Sequence, residues 1–126
     1  MTKKIVYTEK APKPVGPYSQ AVISGDFVFI SGQIPLDPQS QKIVAGGIEA
    51  QTVQVMENLK NILESIDLTL DNVVKTSVFL SDLNDFQSFN MVYGKYFEKN
   101  PPARSTVQLG LMAGVLLEID AIAKKS

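Results

Sequence analysis

Two segments near the end of the chain carry the side chains best suited to chemistry. Arg104 lies within residues 101–108, and Glu118 and Asp120 lie within residues 116–123. Side chains in both segments alternate with a period of two, the pattern of a half-buried strand. If the strands pair as a hairpin, one register places Arg104 opposite Glu118 and the other places it opposite Asp120. Either register predicts a guanidinium and a carboxylate on one sheet face.

This predicted pair of charges has two interpretations. A guanidinium is a planar fork of donors that binds a carboxylate ligand, and a nearby carboxylate can orient water or carry a proton. The alternative is a cross-strand ion pair on a solvated face, which stabilises a sheet only slightly. The two strands alone do not distinguish these interpretations.

The residue inventory limits the chemistry further, because the 126 residues include neither Cys nor His. Disulfides, thiol nucleophiles and thiolate metal sites are excluded. The commonest proton carrier at neutral pH and the usual zinc and iron ligands are also missing. Any catalysis must rest on Arg, carboxylates, hydroxyls, backbone groups and water, so we expect a substrate that is reactive in itself, with no metal and no cofactor.

Composition predicts one globular domain spanning residues 1–126. Hydrophobic residues make up 44% of the chain and the formal net charge is −1, which argues against nucleic acid as the main partner. No stretch reaches the roughly 20 apolar residues of a membrane span, and the first residues lack the apolar run of a signal peptide. We therefore expect a cytoplasmic protein with no membrane partner.

Periodicity predicts an α+β domain with a mixed sheet of five to six strands and two α-helices on one face. Because two helices cover only one face of such a sheet, the other face, which carries aromatic side chains, needs cover from copies of the chain. We therefore predict a homo-oligomer. The predicted strands span residues 4–8, 20–24, 27–31, 73–80, 101–108 and 116–123, and the predicted helices span residues 47–66 and about 82–97.

Six motifs along the chain match one known family. On them the chain resembles the reactive intermediate deaminase family, also called the YjgF or RidA family, over essentially its whole length. The motifs are Gly16-Pro17-Tyr18-Ser19-Gln20-Ala21, Ser31-Gly32-Gln33-Ile34-Pro35, Gln51-Thr52 with Asn58-Leu59, Val74-Lys75-Thr76-Ser77-Val78-Phe79-Leu80, Phe89-Asn90-Val92-Tyr93-Tyr96-Phe97 and Pro102-Ala103-Arg104-Ser105-Thr106-Val107.

The resemblance implies a chorismate-mutase-like, YjgF-type fold and a homotrimer with clefts between adjacent subunits. It also implies hydrolysis of small 2-imino (enamine) acids, such as 2-aminoacrylate, 2-iminopropanoate and 2-iminobutanoate, to 2-oxo acids and ammonia. In the family pattern Arg104 grips the substrate carboxylate and Glu118 holds the attacking water. The other substrate-binding positions that the resemblance implies are Tyr18, Ser31, Gly32, Asn90 and Thr106.

Two features depart from the family pattern. Thr106 stands where many members have cysteine, a residue that acts largely through its backbone. Residues 109–114 lack the Leu-Pro-Lys-like turn that borders the pocket in relatives, which leaves the substrate preference open. One alternative function is a non-catalytic, regulatory trimer that binds small carboxylates. Another is endoribonuclease or translation-inhibitor activity, against which the net charge and the lack of His argue.

Overall fold

The computed structural model describes residues 3–126, in which six strands and two α-helices form. Short 3₁₀ turns at Leu70–Asn72 and Leu83–Asp85 lead into the fourth strand and the second helix. In chain order the elements are β1 (Lys3–Val6), β2 (Ala21–Ser24), β3 (Phe27–Gln33), α1 (Gly47–Glu64), β4 (Val73–Leu80), α2 (Phe86–Tyr96), β5 (Ala103–Gln108) and β6 (Leu117–Lys124).

The six strands form one mixed sheet in the order β1-β2-β3-β6-β4-β5. Neighbouring strands are antiparallel except for β4 and β5, which run parallel. A turn at Gly25 and Asp26 joins β2 to β3 as an antiparallel hairpin. The predicted α+β class, with a mixed sheet and two helices, is confirmed.

The helices cover one face of the sheet because an apolar stripe on each turns toward it. On α1 the buried stripe includes Val55, Leu59 and Ile62, which recur at helical spacing. These side chains belong to the same buried cluster as Val28 and Ile119, which lie on inner strands. Helix α2 packs beside α1 and extends the cover. The hydrophobic core therefore lies between the two helices and one sheet face.

The predicted hairpin between residues 101–108 and 116–123 is wrong. Strand β5 is an edge strand paired in parallel with β4, and β6 lies between β3 and β4. The physical reason is helix α2, because parallel neighbours need a long crossover and a helix between two strands supplies one. Strand β6 buries one side along almost its whole length, as an inner strand should, whereas β5 stays largely exposed.

The other sheet face carries exposed apolar side chains. Phe29 and Val107 are each 47% exposed, and the register aligns Val22, Phe29 and Ile122 across β2, β3 and β6. We call the aligned row Val22, Phe29 and Ile122 the open-face row. A contiguous apolar surface of this kind favours contact with another molecule. Self-association itself stays a prediction.

Candidate active site

Glu118 lies directly against the backbone of Gly32. Strand β3 has a bulge here, since Ile30 pairs with Ala121 and Gln33 pairs with Ile119, so two residues of β3 face one residue of β6. A Cβ atom built on Gly32 would lie 2.8 Å from the carboxyl carbon of Glu118. A larger residue at this position would force the Glu118 side chain out of its place.

The surroundings of Glu118 change its acidity. Partial burial, followed by the nearby charge of Asp120, raises the pKa of Glu118 above the ordinary glutamate value. A carboxyl with a raised pKa keeps its proton to higher pH, so both of its protonation states become accessible closer to neutrality. Such a group is suited to general acid–base chemistry.

Glu118 lines an open cleft of about 430 Å³. Four of the residues implied as site residues by the family resemblance meet there, from β3, β6 and the loop before β2. The remaining lining residues are apolar and come from three separate loops. The lining consists of Val15, Tyr18, Ser31, Gly32, Ile34, Met112 and Glu118.

A buried glutamine holds the proline-rich loop that carries Val15 and Tyr18 to the cleft. The Gln20 side chain is 1% exposed. Its Oε1 accepts a hydrogen bond from the Thr8 N–H at 2.7 Å, and its Nε2 donates to the carbonyls of Thr8 and Pro12, each at 2.9 Å. These bonds replace the regular backbone pairing that prolines prevent, so the loop has a defined position.

Two more buried amides on α1 hold the other two loops of the cleft. Asn58 Nδ2 donates to the Ile34 carbonyl at 3.3 Å. Gln51 Nε2 donates to the Gly114 carbonyl, and Gln51 Oε1 accepts from the Leu116 N–H, both at 2.9 Å. Because buried amides are costly to leave unpaired, each bond resists displacement of its loop.

Tyr18 and Ser31 have hydrogen bonds to the backbone within this loop region. The Tyr18 hydroxyl accepts from the Val15 N–H at 3.2 Å, while about half of the tyrosine side chain stays exposed at the cleft. Ser31 Oγ donates to the Ser19 carbonyl at 2.6 Å. The hydroxyl proton of Ser31 is therefore used in this hydrogen bond, and toward the cleft Ser31 Oγ can only accept a hydrogen bond.

Arg104 lies in a second site, against helix α2. Its Nη1 donates to Asn90 Oδ1 at 2.8 Å. The guanidinium carbon lies 5.0 Å from the ring centre of Tyr93 and 5.6 and 5.7 Å from those of Phe86 and Phe89. Aromatic faces attract a cation at such distances, and together with Asn90 they fix the plane of the guanidinium.

Tyr93 stays neutral beside this cation. Burial raises the pKa of the Tyr93 hydroxyl, and the hydrogen bond to Thr76 and the charge of Arg104 only partly oppose that effect. The two hydroxyl oxygens of Tyr93 and Thr76 lie 2.7 Å apart. The guanidinium is therefore held by the neutral side chains of Asn90 and Tyr93 and not by a carboxylate.

The expectation that Arg104 and Glu118 share one sheet face is wrong. Arg104 pairs with Thr76 on β4, and Glu118 pairs with Phe79 on the same strand. Side chains alternate along a strand, so partners of residues three apart point to opposite sides. Arg104 therefore faces the helices and Glu118 faces the open side. The chain therefore carries two separate candidate half-sites, one around Glu118 and one around Arg104 with Asn90.

Comparison with known proteins identifies the family of the chain. The Ribonuc_L-PSP model, described as Endoribonuclease L-PSP, matches residues 8–125. The chain belongs to this family. It is the family also called YjgF, RutC or RidA, so the identification from the six motifs is confirmed.

Relatives in this family match the chain almost from end to end. A RutC family protein of Saccharolobus solfataricus is 54% identical over 98% of this chain and 99% of its own. The human 2-iminobutanoate/2-iminopropanoate deaminase is 42% identical over 98% of this chain and 90% of its own. The crystal structure of E. coli TdcF with bound serine has a TM-score of 0.92 at 42% identity, covering 98% of this chain and 99% of that one. The YjgF-type fold is therefore confirmed.

Other predictions about this family member stay predictions. The domain 1–126 includes two residues outside the described part, and the roles of the site residues rest on the resemblance. In residues 3–126 no helix has the length and apolar character to cross a membrane. The same residues contain no group of three or more His, Cys, Asp or Glu placed to share a metal ion. The cytoplasmic location is likewise a prediction.

Sequence reasoning assigned no role to the three amides that hold the cleft loops. A signal for two of them was present, because Gln51 and Asn58 lie in line with the apolar stripe of α1 at Val55 and Ile62. A polar residue within such a stripe must find a partner in the core. No comparable pattern marks Gln20, whose burial depends on the path of the loop.

Thr106 provides a stability prediction. Its Oγ1 is buried and makes no hydrogen bond within residues 3–126. Valine has nearly the same shape without the hydroxyl, so Thr106→Val should raise the free energy of unfolding by about 1 kcal/mol, measured by urea denaturation. A lower stability would instead show that the hydroxyl has a partner outside this chain. Thr8→Val is a contrasting control, since the Thr8 Oγ1 accepts a hydrogen bond from Lys10 N–H.

Proposed function

We propose that the protein hydrolyses small 2-imino acids to 2-oxo acids and ammonia. The observation that carries this proposal is the Glu118 carboxyl, packed over Gly32 in an open cleft and given a raised pKa by burial. A carboxyl in this setting can bind water and exchange a proton. Because the imine carbon is already electrophilic, orientation and one proton carrier are sufficient catalysis.

In the proposed reaction, water adds to C2 of the protonated imine while Glu118 takes one of the water protons. Glu118 then returns that proton to the nitrogen of the resulting amino alcohol. The C–N bond breaks, the C2 hydroxyl becomes a carbonyl, and the hydroxyl proton leaves with the nitrogen as ammonium. The balance is one iminium carboxylate and one water giving one 2-oxo acid and one ammonium ion, with no change in oxidation state.

Arg104 is the proposed anchor for the substrate carboxylate. It is the only arginine in the chain. Asn90 and the ring of Tyr93 already fix its plane, so binding a carboxylate requires little further ordering of the side chain. A planar fork binds both carboxylate oxygens at once, which fixes the orientation of C2 as well as its distance.

The opposite orientations of Arg104 and Glu118 lead us to propose that the reaction site forms between two copies of the chain. Arg104 of one copy then meets Glu118 of its neighbour. The homotrimer implied by the family resemblance provides such a boundary, and the open-face row supplies apolar surface for burial between copies. Sedimentation equilibrium tests this assembly independently of activity.

The named relatives support the proposed substrate class. The human relative is named as a deaminase of 2-iminobutanoate and 2-iminopropanoate. The E. coli relative binds serine, an amino acid with the same carboxylate and C2 nitrogen as these substrates. Transferred to this chain, the carboxylate corresponds to the group that Arg104 would bind.

A coupled assay tests the proposed hydrolysis. Threonine dehydratase releases 2-iminobutanoate, and semicarbazide traps whatever imine remains. Adding the protein should speed the appearance of 2-oxobutanoate and lower the yield of trapped imine. An unchanged rate across a range of protein concentrations would refute the proposal. Calorimetric binding of 2-oxobutanoate without turnover would favour the carboxylate-binding alternative, and salt-sensitive cleavage of RNA would favour the endoribonuclease.

Gly32→Ala should lower deaminase activity at least tenfold while leaving the fold intact. The new methyl group would occupy the space of the Glu118 side chain, whose Cγ and Cδ lie 3.1 and 2.8 Å from the Cβ position. A carboxyl displaced by about 1 Å loses its alignment with water. Gly110→Ala is the matched control, because a Cβ there meets nothing within 4 Å. Full activity in Gly32→Ala would contradict the proposed place of Glu118.

A further inference from the structure

One wall of the cleft beside Glu118 is apolar, and its residues have no role in the proposed hydrolysis. Val15, Ile34 and Met112 form this wall. Val15 and Met112 are 85% and 62% exposed, so most of their apolar surface is not buried in the hydrophobic core. Ligand sites typically combine such apolar surface with a few polar groups that act on the ligand.

The wall is built on ordered loops. Met112 begins a tight turn in which its carbonyl accepts from the Val115 N–H at 3.0 Å. Gly114 adopts a φ of +82° within that turn, a conformation that favours glycine. Gln51 Nε2 also fixes the turn, because it donates a hydrogen bond to the Gly114 carbonyl at 2.9 Å. Met112 is therefore placed at the cleft by a fixed backbone, although its own side chain is flexible.

We propose that Val15, Ile34 and Met112 bind the side chain of the substrate and make the protein selective for 2-imino acids with apolar side chains longer than methyl. This inference rests on the proposed function. A substrate with C2 beside Glu118 and its carboxylate on a neighbour's Arg104 has only its side chain left to contact the wall. The cleft of about 430 Å³ is larger than a three-carbon acid requires.

Met112 is the residue that sets this preference. An unbranched thioether has three rotatable bonds and adapts its shape to a flexible chain, whereas a rigid side chain would favour one size. Each methylene that leaves water for the wall should raise kcat/KM about fourfold. A polar side chain of similar length should gain less, because Val15, Ile34 and Met112 have no side-chain group that forms a hydrogen bond with it.

The test measures kcat/KM for a series of imines. L-Amino-acid oxidase with catalase produces them from alanine, 2-aminobutyrate, norvaline, norleucine and glutamine, and semicarbazide trapping reports the imine that remains. The wild type should favour the norleucine imine over the alanine imine by about tenfold or more. It should also favour the norleucine imine over the glutamine imine. Met112→Ala should remove most of the first preference, and Met112→Leu should retain most of it.

Met91→Ala is the matched control, since Met91 is 67% exposed on α2 and lies outside both half-sites. This variant should show the wild-type preference. Equal kcat/KM values for all the imines in the wild type would overturn the proposal while leaving imine hydrolysis intact. An unchanged preference in Met112→Ala would do the same. Failure of the proposed function gives a different result, with no imine accelerated at all. A changed sedimentation coefficient in Met112→Ala would make Met112 a subunit contact and also overturn the proposal.

Discussion

Replacing Arg104 with alanine should lower kcat/KM for 2-imino acids by about 10²–10³-fold. The substitution removes a guanidinium that Asn90 holds at 2.8 Å and that lies 5.0 Å from the Tyr93 ring centre. Since the substrate carboxylate is bound before and during the reaction, most of the loss should appear in KM. Steady-state kinetics in the coupled assay measures it.

Two control variants distinguish the loss of the planar guanidinium from the loss of a positive charge. Arg104→Lys keeps the charge but lacks the planar pair of donors, so it should recover only a small part of the activity. Lys95→Ala removes an exposed cation from the last turn of α2 and should leave kcat/KM unchanged. Far-ultraviolet circular dichroism checks that Arg104→Ala keeps its helices.

Chemical modification gives an independent test of Arg104. Because the chain has a single arginine, phenylglyoxal should inactivate the protein by labelling one site per chain. A saturating 2-oxo acid should slow this inactivation by occupying the guanidinium. Inactivation at the same rate with and without the 2-oxo acid would place the substrate carboxylate elsewhere, as would full activity in Arg104→Ala.

Glu118→Gln should lower kcat by about 10²–10⁴-fold, the usual contribution of a general acid–base group. Glutamine has nearly the same size and still fits over Gly32, but it cannot take a proton from water. The effect on KM should be small, because the amide still occupies the glutamate's place in the cleft. Activity within threefold of the wild type would exclude Glu118 as the proton carrier.

The same substitution should increase stability at neutral pH. Burial and the charge of Asp120 raise the pKa of Glu118 in the folded chain above the ordinary value of 4.5. The folded state therefore binds this proton more tightly than the unfolded state does. Stability falls as the pH rises from the unfolded through the folded pKa, and this loss is complete above both. Glutamine avoids the loss.

Calorimetry at about pH 4 and about pH 7 should accordingly show a higher Tm for Glu118→Gln at the upper pH and a smaller difference at the lower one. Asp120→Asn is the matched control. Removing that charge should shift the pKa of Glu118 toward its ordinary value, so the acid limb of the activity profile should move to lower pH. A difference in Tm that grows as the pH falls would contradict the raised pKa.

Local sequence pattern was sufficient for most elements of the fold. The apolar stripe of α1 and the apolar residues at the two ends of β4 depend on side chains a few residues apart, and both elements lie where the pattern places them. The predicted alternation of more buried and more exposed side chains also holds in β5 and β6. In β6, for example, Ile119 and Ala121 are buried while Glu118 and Asp120 point to the other side of the sheet.

Which strands pair with one another in the sheet could not be predicted in the same way. Alternation determines which residues of one strand share a face, but it contains no information about which strand lies alongside. Helix α2 made β4 and β5 parallel neighbours, and β6 paired on the other side of β4. The prediction that Arg104 lies opposite Glu118 or Asp120 on a neighbouring strand was wrong for this reason.

The sequence by itself determined the residue types of the site, the family and the chemistry open to a chain without Cys or His. Only the tertiary structure decided where those residues lie. It separated Arg104 from Glu118 onto opposite faces, packed Glu118 over Gly32 and placed Met112 in the cleft wall. The physical reason is that strand order and loop position depend on packing and buried amide bonds between residues far apart in the chain, which a local period cannot specify.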